Sequence, residues 1–396
     1  MKKILAALAA TTLMTSAAIS AAHSPVKIGV ILGFTGPIES LTPTMAASAE
    51  LAMKEVTDSG KFLEGAEVMP VRADSTCIDS AAASAAAERL ITAEGVTAIM
   101  GADCSGVTGA ILQNVARANG IVMISPSATS PALSDAEDDG LFFRTAPSDA
   151  RQGDVLADVL VEKGVKSAAL TYTNNDYGKG LADSIQAAFE AKGGSVTISA
   201  AHEDGKGDYS AEVGALAQAG GDVLIVAGYL DQGGKGIIQG ALDAGAFETF
   251  VLPDGMVGDS LPAAIGAPLN GSYGTIAGSE NEGAEMFQKL ATDAGVKTDT
   301  YAAESYDAAA LIMLAMQAAK SAKSADFKDK VMDVANAPGE KILPGELGKA
   351  LEILASGGDI DYVGATAVEF IGNGESGGNF RQILVDGEKI TTEKYR

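Results

Sequence analysis

Tryptophan is absent from this 396-residue chain, and histidine and cysteine occur only twice each. Each shortage closes a class of chemistry. A Ser-His-Asp hydrolase needs a histidine as its base. Of the two present, His23 directly follows the N-terminal leader, and His202 lies in the polar run Ala201-His-Glu-Asp-Gly-Lys206, whose composition reads as a solvated turn. Ser105, a superficially nucleophile-like serine, has no base in company. Zinc requires three or four ligands at short spacing, and none are so placed, so no metal site is expected. No Gly-x-Gly-x-x-Gly follows the strand-like run 27–32, and Gly233-Gly-Lys-Gly236 lacks the spacing of a phosphate loop. No cofactor is expected, and an enzyme is the weaker reading. Positive charge is also short: 28 Lys and Arg face 52 Asp and Glu, a net charge of −24. That balance argues against nucleic acid and anionic membrane surfaces as partners. It does not select a cationic ligand, because a solvated acidic surface accounts for it equally well.

Long apolar runs are the next scarcity. The longest, residues 4–19, follows Lys2 and Lys3 and precedes Ser20, Ala21 and Ala22, with Ser20 and Ala22 in the minus-three and minus-one places of a cleavage site before His23. This reads as a secretory signal peptide over 1–22. It is shorter than the ~20 residues of a spanning helix, and no later run replaces it, so no membrane insertion is expected. No cysteine stands at the cleavage point for lipid attachment. The mature chain is expected free in an oxidising compartment, the periplasm. Cys77 and Cys104, an even pair, each follow a strand-like segment of consecutive β-α-β units. Neighbouring parallel strands could bring their loops together, which predicts a disulfide, with free or metal-bound thiols as the alternative.

What is abundant is alternation. Short β-branched runs at 27–32, 68–73, 96–101 and 121–125 are separated by alanine-rich stretches of helical spacing at 44–59, 80–93 and 105–119. A second series has strands at 167–173, 195–200, 223–228 and 249–253, with helices at 180–192, 210–219 and 233–244. Residues 282–355 are mostly helical, and 362–389 read as closing strands around Gly-Asn-Gly and Asp-Gly turns. The pattern predicts an α/β protein of two doubly wound parallel sheets. Chain crossings are expected at 142–147 and 273–279.

In open parallel sheets, ligands sit beyond the carboxyl ends of the strands. The loop Gly101-Ala-Asp-Cys-Ser105 enters a helix, whose free N–H groups and positive dipole end suit a carboxylate or phosphate, or serve simply as an N-cap. The next strand-end loop, Ser125-Pro-Ser127-Ala-Thr129-Ser-Pro131, is dense in hydroxyls. In the second series Tyr177, Tyr229 and Asp254 fall at successive strand ends. Asp254 offers a charge for an ammonium, or a plain turn before Gly255.

These residues, in this order, are similar to the leucine/isoleucine/valine-type binding proteins of branched-chain amino acid ABC transporters, the type I periplasmic binding proteins. The match runs over the whole mature chain: Lys27-Ile-Gly-Val-Ile-Leu-Gly-Phe-Thr-Gly-Pro37, Cys104-Ser105, Ile124 to Pro131, Phe143-Arg-Thr145, Asn175-Asp-Tyr-Gly-Lys-Gly180, Gly228-Tyr229 and Tyr306-Asp-Ala308. The resemblance implies two lobes joined by a three-stranded hinge, with first-lobe pieces 23–144 and 276–362 and second-lobe pieces 145–275 and 363–396. It implies crossings near 144–147, 273–277 and 362–366, and a disulfide between Cys77 and Cys104. By the same resemblance, Ser105 and Thr129, with Ser127 nearby, hold a ligand carboxylate, and Tyr229 and Asp254 hold its ammonium. Tyr177 and Tyr301 cover its side chain. The family position of Asp254 is typically glutamate, one methylene longer.

Asp103 stands where apolar-ligand members tend to have leucine, and Glu39 and Ser40 lie in the first pocket loop. A bare carboxylate beside an apolar side chain costs several kcal/mol. The expectation is therefore an amino acid with a polar or cationic side chain, unless Asp103 points away or pairs with a backbone amide. The implied partners are a small-molecule ligand and the membrane permease subunits of an importer, with the chain itself a monomer. A soluble sensor of amides or amino acids on the same fold is the alternative.

Overall fold

The structure is a computed structural model that describes residues 24–396, so the expected leader 1–22 lies outside the described residues. The first series supplies β1 (Val26–Leu32), β2 (Val68–Asp74), β3 (Ala98–Gly101), β4 (Met123–Ser125) and β5 (Phe142–Pro147). The second supplies β6 (Ser167–Thr173), β7 (Ser195–His202), β8 (Val223–Ala227), β9 (Phe250–Leu252) and β10 (Tyr273–Ala277). Six further strands follow: β11 (Glu340–Ile342), β12 (Ile360–Tyr362), β13 (Phe370–Ile371), β14 (Glu375–Ser376), β15 (Phe380–Asp386) and β16 (Lys389–Tyr395).

Both large sheets have seven strands. One runs β2-β1-β3-β4-β5-β14-β13 and the other β7-β6-β8-β9-β10-β15-β16. Each therefore repeats the doubly wound order 2-1-3-4-5, parallel throughout, and closes with a two-stranded antiparallel edge. Strands covered on both faces must be apolar along their whole length. β8, Val-Leu-Ile-Val-Ala, is buried at every position, and in β1 only Lys27 is not. Each such side chain contributes roughly 1.5–3 kcal/mol of burial.

Helix Thr42–Ser59 packs on the first sheet beside helix Ala302–Ala319. The latter is buried from Ala302 to Gln317 apart from Ala303, which explains why its sequence shows no polar face. The helix after β6 starts at Asp176 rather than at 180. The Asn175 side chain accepts the Gly178 N–H at 3.0 Å and caps it. Two glycines in the first turn give that turn the composition of a loop, yet Tyr177 belongs to the helix.

The chain passes between the lobes three times. It leaves β5 into helix Asp149–Glu162, and leaves β10 into helix Glu282–Asp293. The third passage differs from expectation. Strands β13 and β14 pair into the first sheet beside β5, and only β15 and β16 join the second. The crossing thus lies at 377–379 rather than 362–366, and 363–376 stay with the first lobe. Glu375 decides this register: its carboxylate pairs with buried Arg144 on β5.

Candidate functional site

Each sheet has its topological switch point where the strand order reverses, between β1 and β3 in one and between β6 and β8 in the other. The loops leaving those strands face one another, and the crevice between them is shut. The Asp231 N–H donates to Pro37 O at 3.0 Å. Ser40 N–H donates to the Asp231 carboxylate at 2.9 Å, and Ser130 Oγ donates to Asp176 O at 3.0 Å. A small cavity is left between these loops.

Of the residues singled out in the sequence, Asp103, Ser105, Ser127, Tyr177, Tyr229, Asp254 and Tyr301 line this cavity. Thr129 is buried just behind it. Ile38 and Leu41 supply the apolar wall from the first loop, whereas Glu39 points outward and Ser40 is used in closure. Sequence reasoning missed Ile38 and Leu41; the apolar residues flanking Glu39 and Ser40 in that loop are the signal that could have found them.

The first-lobe wall is made of small dipoles. Ser105 Oγ accepts the Ser130 N–H at 3.1 Å, and Ser127 Oγ donates to Asp103 O at 3.1 Å, so the two hydroxyl-bearing loops hold each other. The disulfide Cys77–Cys104, with Cα atoms 5.2 Å apart, ties the same loop to the exit of β2. On the second lobe, Tyr177 and Tyr229 stack with ring centroids 5.1 Å apart. The Tyr177 hydroxyl donates to Asp254 Oδ1 at 2.7 Å, and the Tyr301 hydroxyl donates to Oδ2. Burial pushes the Asp254 carboxyl up, and these two hydroxyls work against that shift. Burial and the Asp254 charge push both tyrosines well up, so both stay protonated as donors. Among the described residues, no lysine or arginine lines the cavity.

Asp103 is not a bare charge. Its carboxylate accepts the Gly33 N–H at 2.6 Å and the Ser75 hydroxyl at 3.0 Å, and is 1% exposed. Burial raises its pKa, and the Gly33 and Cys104 amides together with Ser75 oppose the rise. It braces three loops, so the ground for expecting a polar or cationic ligand side chain falls away.

Asp149 went unnoticed in the sequence. It opens the helix that follows β5, is fully buried, and neither carboxylate oxygen has a hydrogen-bond partner among the described residues. The neighbouring Thr129 hydroxyl is likewise unpartnered, while Asp149 N–H binds Thr129 O at 2.8 Å. Burial first, and the Asp254 charge second, push the Asp149 carboxyl well up. Nothing local distinguishes it from the other helix-opening aspartates.

His202 is buried rather than solvated. Its Nδ1 lies 2.9 Å from Thr171 Oγ1, and burial lowers its pKa to about 4. It does not line the crevice.

Two α/β lobes shut over a crevice lined by both define the class of hinged, two-lobed ligand-binding folds. Within that class, a sequence model of the periplasmic binding protein family matches residues 25–343, and the chain belongs to that family. It is 32% identical over 312 residues to Leu/Ile/Val-binding protein homolog 1 of Brucella suis biovar 1, covering 77% of this chain and 81% of that protein. To homolog 3 of Brucella melitensis biotype 1 it is 34% identical over 220 residues. That match covers 54% of this chain and spans 57% of that relative's length. The crystal structure of a leucine-binding protein, LivK, from Thermotoga maritima superposes with a TM-score of 0.78 at 23% identity, covering 93% of this chain and 98% of that one.

Proposed function

We propose that this chain captures an amino acid with an apolar side chain in the periplasm and delivers it to the membrane subunits of an ABC-type importer. The observation that carries the reading is Asp254. It is a buried carboxylate on one lobe, and it faces amide and hydroxyl dipoles at Ser105 and Ser127 on the other. A zwitterion fits such a pair of walls. Its ammonium meets Asp254 and Tyr229, and its carboxylate meets Ser105, Ser127, Thr129 and the N-terminus of helix Ser105–Ile111. Between them Ile38, Leu41, Tyr177 and Tyr301 leave an apolar space for the side chain. The small size of the closed crevice favours one amino acid over a peptide. The names of the two Brucella relatives and of the Thermotoga protein support the same ligand class.

Closure takes both charges out of water against groups already oriented, so little reorganisation opposes binding. Calorimetric titration tests the proposal with leucine, isoleucine, valine, arginine and glutamate. Binding confined to the aliphatic members is expected, weakened roughly ten- to a hundredfold in S105A and in D254N, the worth of one hydrogen bond to a charged group. Arginine bound more tightly than leucine, or unchanged affinity in both variants, would overturn the reading. Loss of uptake on deleting the gene would tie capture to import rather than to sensing.

A further inference from the structure

A second cavity, ≈ 290 Å³ in volume, lies beside the second passage between the lobes. Second-passage residues 277–279 line it, with Arg381 from β15, Phe287, and Glu304 from helix Ala302–Ala319. Tyr301 belongs to both cavities, so the two share a wall.

Glu304 is the anomaly. It is 4% exposed, yet among the described residues no other residue donates a hydrogen bond to its carboxylate and no cation pairs with it. Its own main-chain N–H is the one donor to the carboxylate among the described residues, and its main-chain oxygen accepts the Thr145 hydroxyl at 2.9 Å. A buried carboxylate with a single amide donor and no cation beside it costs several kcal/mol when ionised. Around it the lining carries two further acids, Asp259 and Asp299, against one base, Arg381, and an apolar wall of Val257, Ile276 and Phe287.

We propose that this cavity is a second binding site, and that it takes a small organic cation, an alkylammonium or guanidinium group seated against Glu304 with its hydrocarbon part on Phe287. A metal ion is the poorer occupant, because no cluster of three His, Cys, Asp or Glu ligands occurs among the described residues. The groups facing Glu304 set when the site is charged. Burial pushes its carboxyl up to about 7, its own main-chain N–H and Arg381 oppose the rise, and the Asp307 charge adds to it. Asp259 and Asp299 raise the negative potential at the opening, and the Tyr301 hydroxyl stays neutral. An acid with a raised pKa is protonated below it, so the cation is held above about pH 7 and released below.

The site stands whether or not the front crevice takes an amino acid. The probe is n-butylamine, followed by saturation-transfer NMR on the whole mature protein at pH 8 and pH 6. Binding at pH 8 is expected, about tenfold weaker at pH 6 as Glu304 takes up its proton. E304Q, which keeps shape and removes charge, is expected to lose at least about tenfold at pH 8 and to lose the pH dependence. The double variant D259N/D299N, of exposed Asp259 and half-buried Asp299, is expected to weaken the probe a few-fold. D254N, which disables the crevice, is expected to leave the probe alone. Butylamine bound equally by wild type and E304Q, or lost in D254N instead, overturns the proposal, as does butyrate binding as well as butylamine. Circular dichroism of E304Q separates a lost site from a lost fold.

Discussion

Asp149 and Asp254 are two buried carboxylates that oppose each other's ionisation; Asp254 accepts from two tyrosine hydroxyls, while only the nearby Thr129 hydroxyl and the Arg144 charge work against the rise at Asp149. Asp149 therefore destabilises the ligand-free protein once ionised and favours a positive group beside it. An aspartate whose folded-state pKa is raised holds its proton above the unfolded value of about 3.9, so stability falls as pH climbs from there towards the folded value. D149N removes that loss. Thermal unfolding is expected to show a higher Tm for D149N at pH 7 than for wild type, by roughly 2–4 °C per kcal/mol recovered, with a smaller gain at pH 4. Affinity for the proposed amino acid is expected to fall about tenfold in the same variant. A variant that lost stability at pH 7 would place Asp149 in a structural ion pair instead. Ser105 and Asp254 were legible because each sits in a recognisable strand-end turn. Asp149 was not, because its meaning depends on what fails to surround it.

Among the elements, the loop from β3 into helix Ser105–Ile111 is braced more than any other part of the crevice. Asp103, Cys104 and Ser105 follow one another in it, and each is tied elsewhere: Asp103 to Gly33 and Ser75, Cys104 to Cys77, Ser105 to Ser130. The packing is close enough that a Cβ at Gly33 would lie 3.0 Å from the Cys77 Cβ and 3.2 Å from Asp103 Oδ2. The disulfide spans a sequence separation of 27 residues, which corresponds to roughly 3–4 kcal/mol of chain-entropy stabilisation. Denaturant unfolding of the double variant C77A/C104A is expected to show a loss of that order, with amino-acid affinity also reduced because the amide-bearing loop loses its tether. Full affinity after the change would mean that Asp103 alone holds the loop. The disulfide was readable from two strand-end cysteines in neighbouring β-α-β units. That Asp103 is a brace was not, since its partners lie 70 and 28 positions away in the chain.

Across the whole molecule, Asp231 is the latch. Its carboxylate accepts the Ser40 N–H across the crevice at 2.9 Å and the Ser260 hydroxyl within its own lobe at 3.0 Å. Removing it leaves every ligand-facing group in place and weakens only the shut state. Stopped-flow measurement on D231A is therefore expected to show release of the bound amino acid accelerated roughly two- to tenfold, with association nearly unchanged. An equal loss in both rates would mean that Asp231 shapes the open lobe as well.

The sequence by itself determined the two α/β series, the strand-end position of most crevice residues, the cysteine pair and the family. All of these are local patterns, or patterns repeated at regular spacing, so they survive in a linear reading. Tertiary structure alone decided the third passage at 377–379, the burial of Asp149, Glu304 and His202, and the capture of the Asp103 charge by backbone amides. Each of these depends on which distant groups come within hydrogen-bonding reach, and on how much water is excluded when they do.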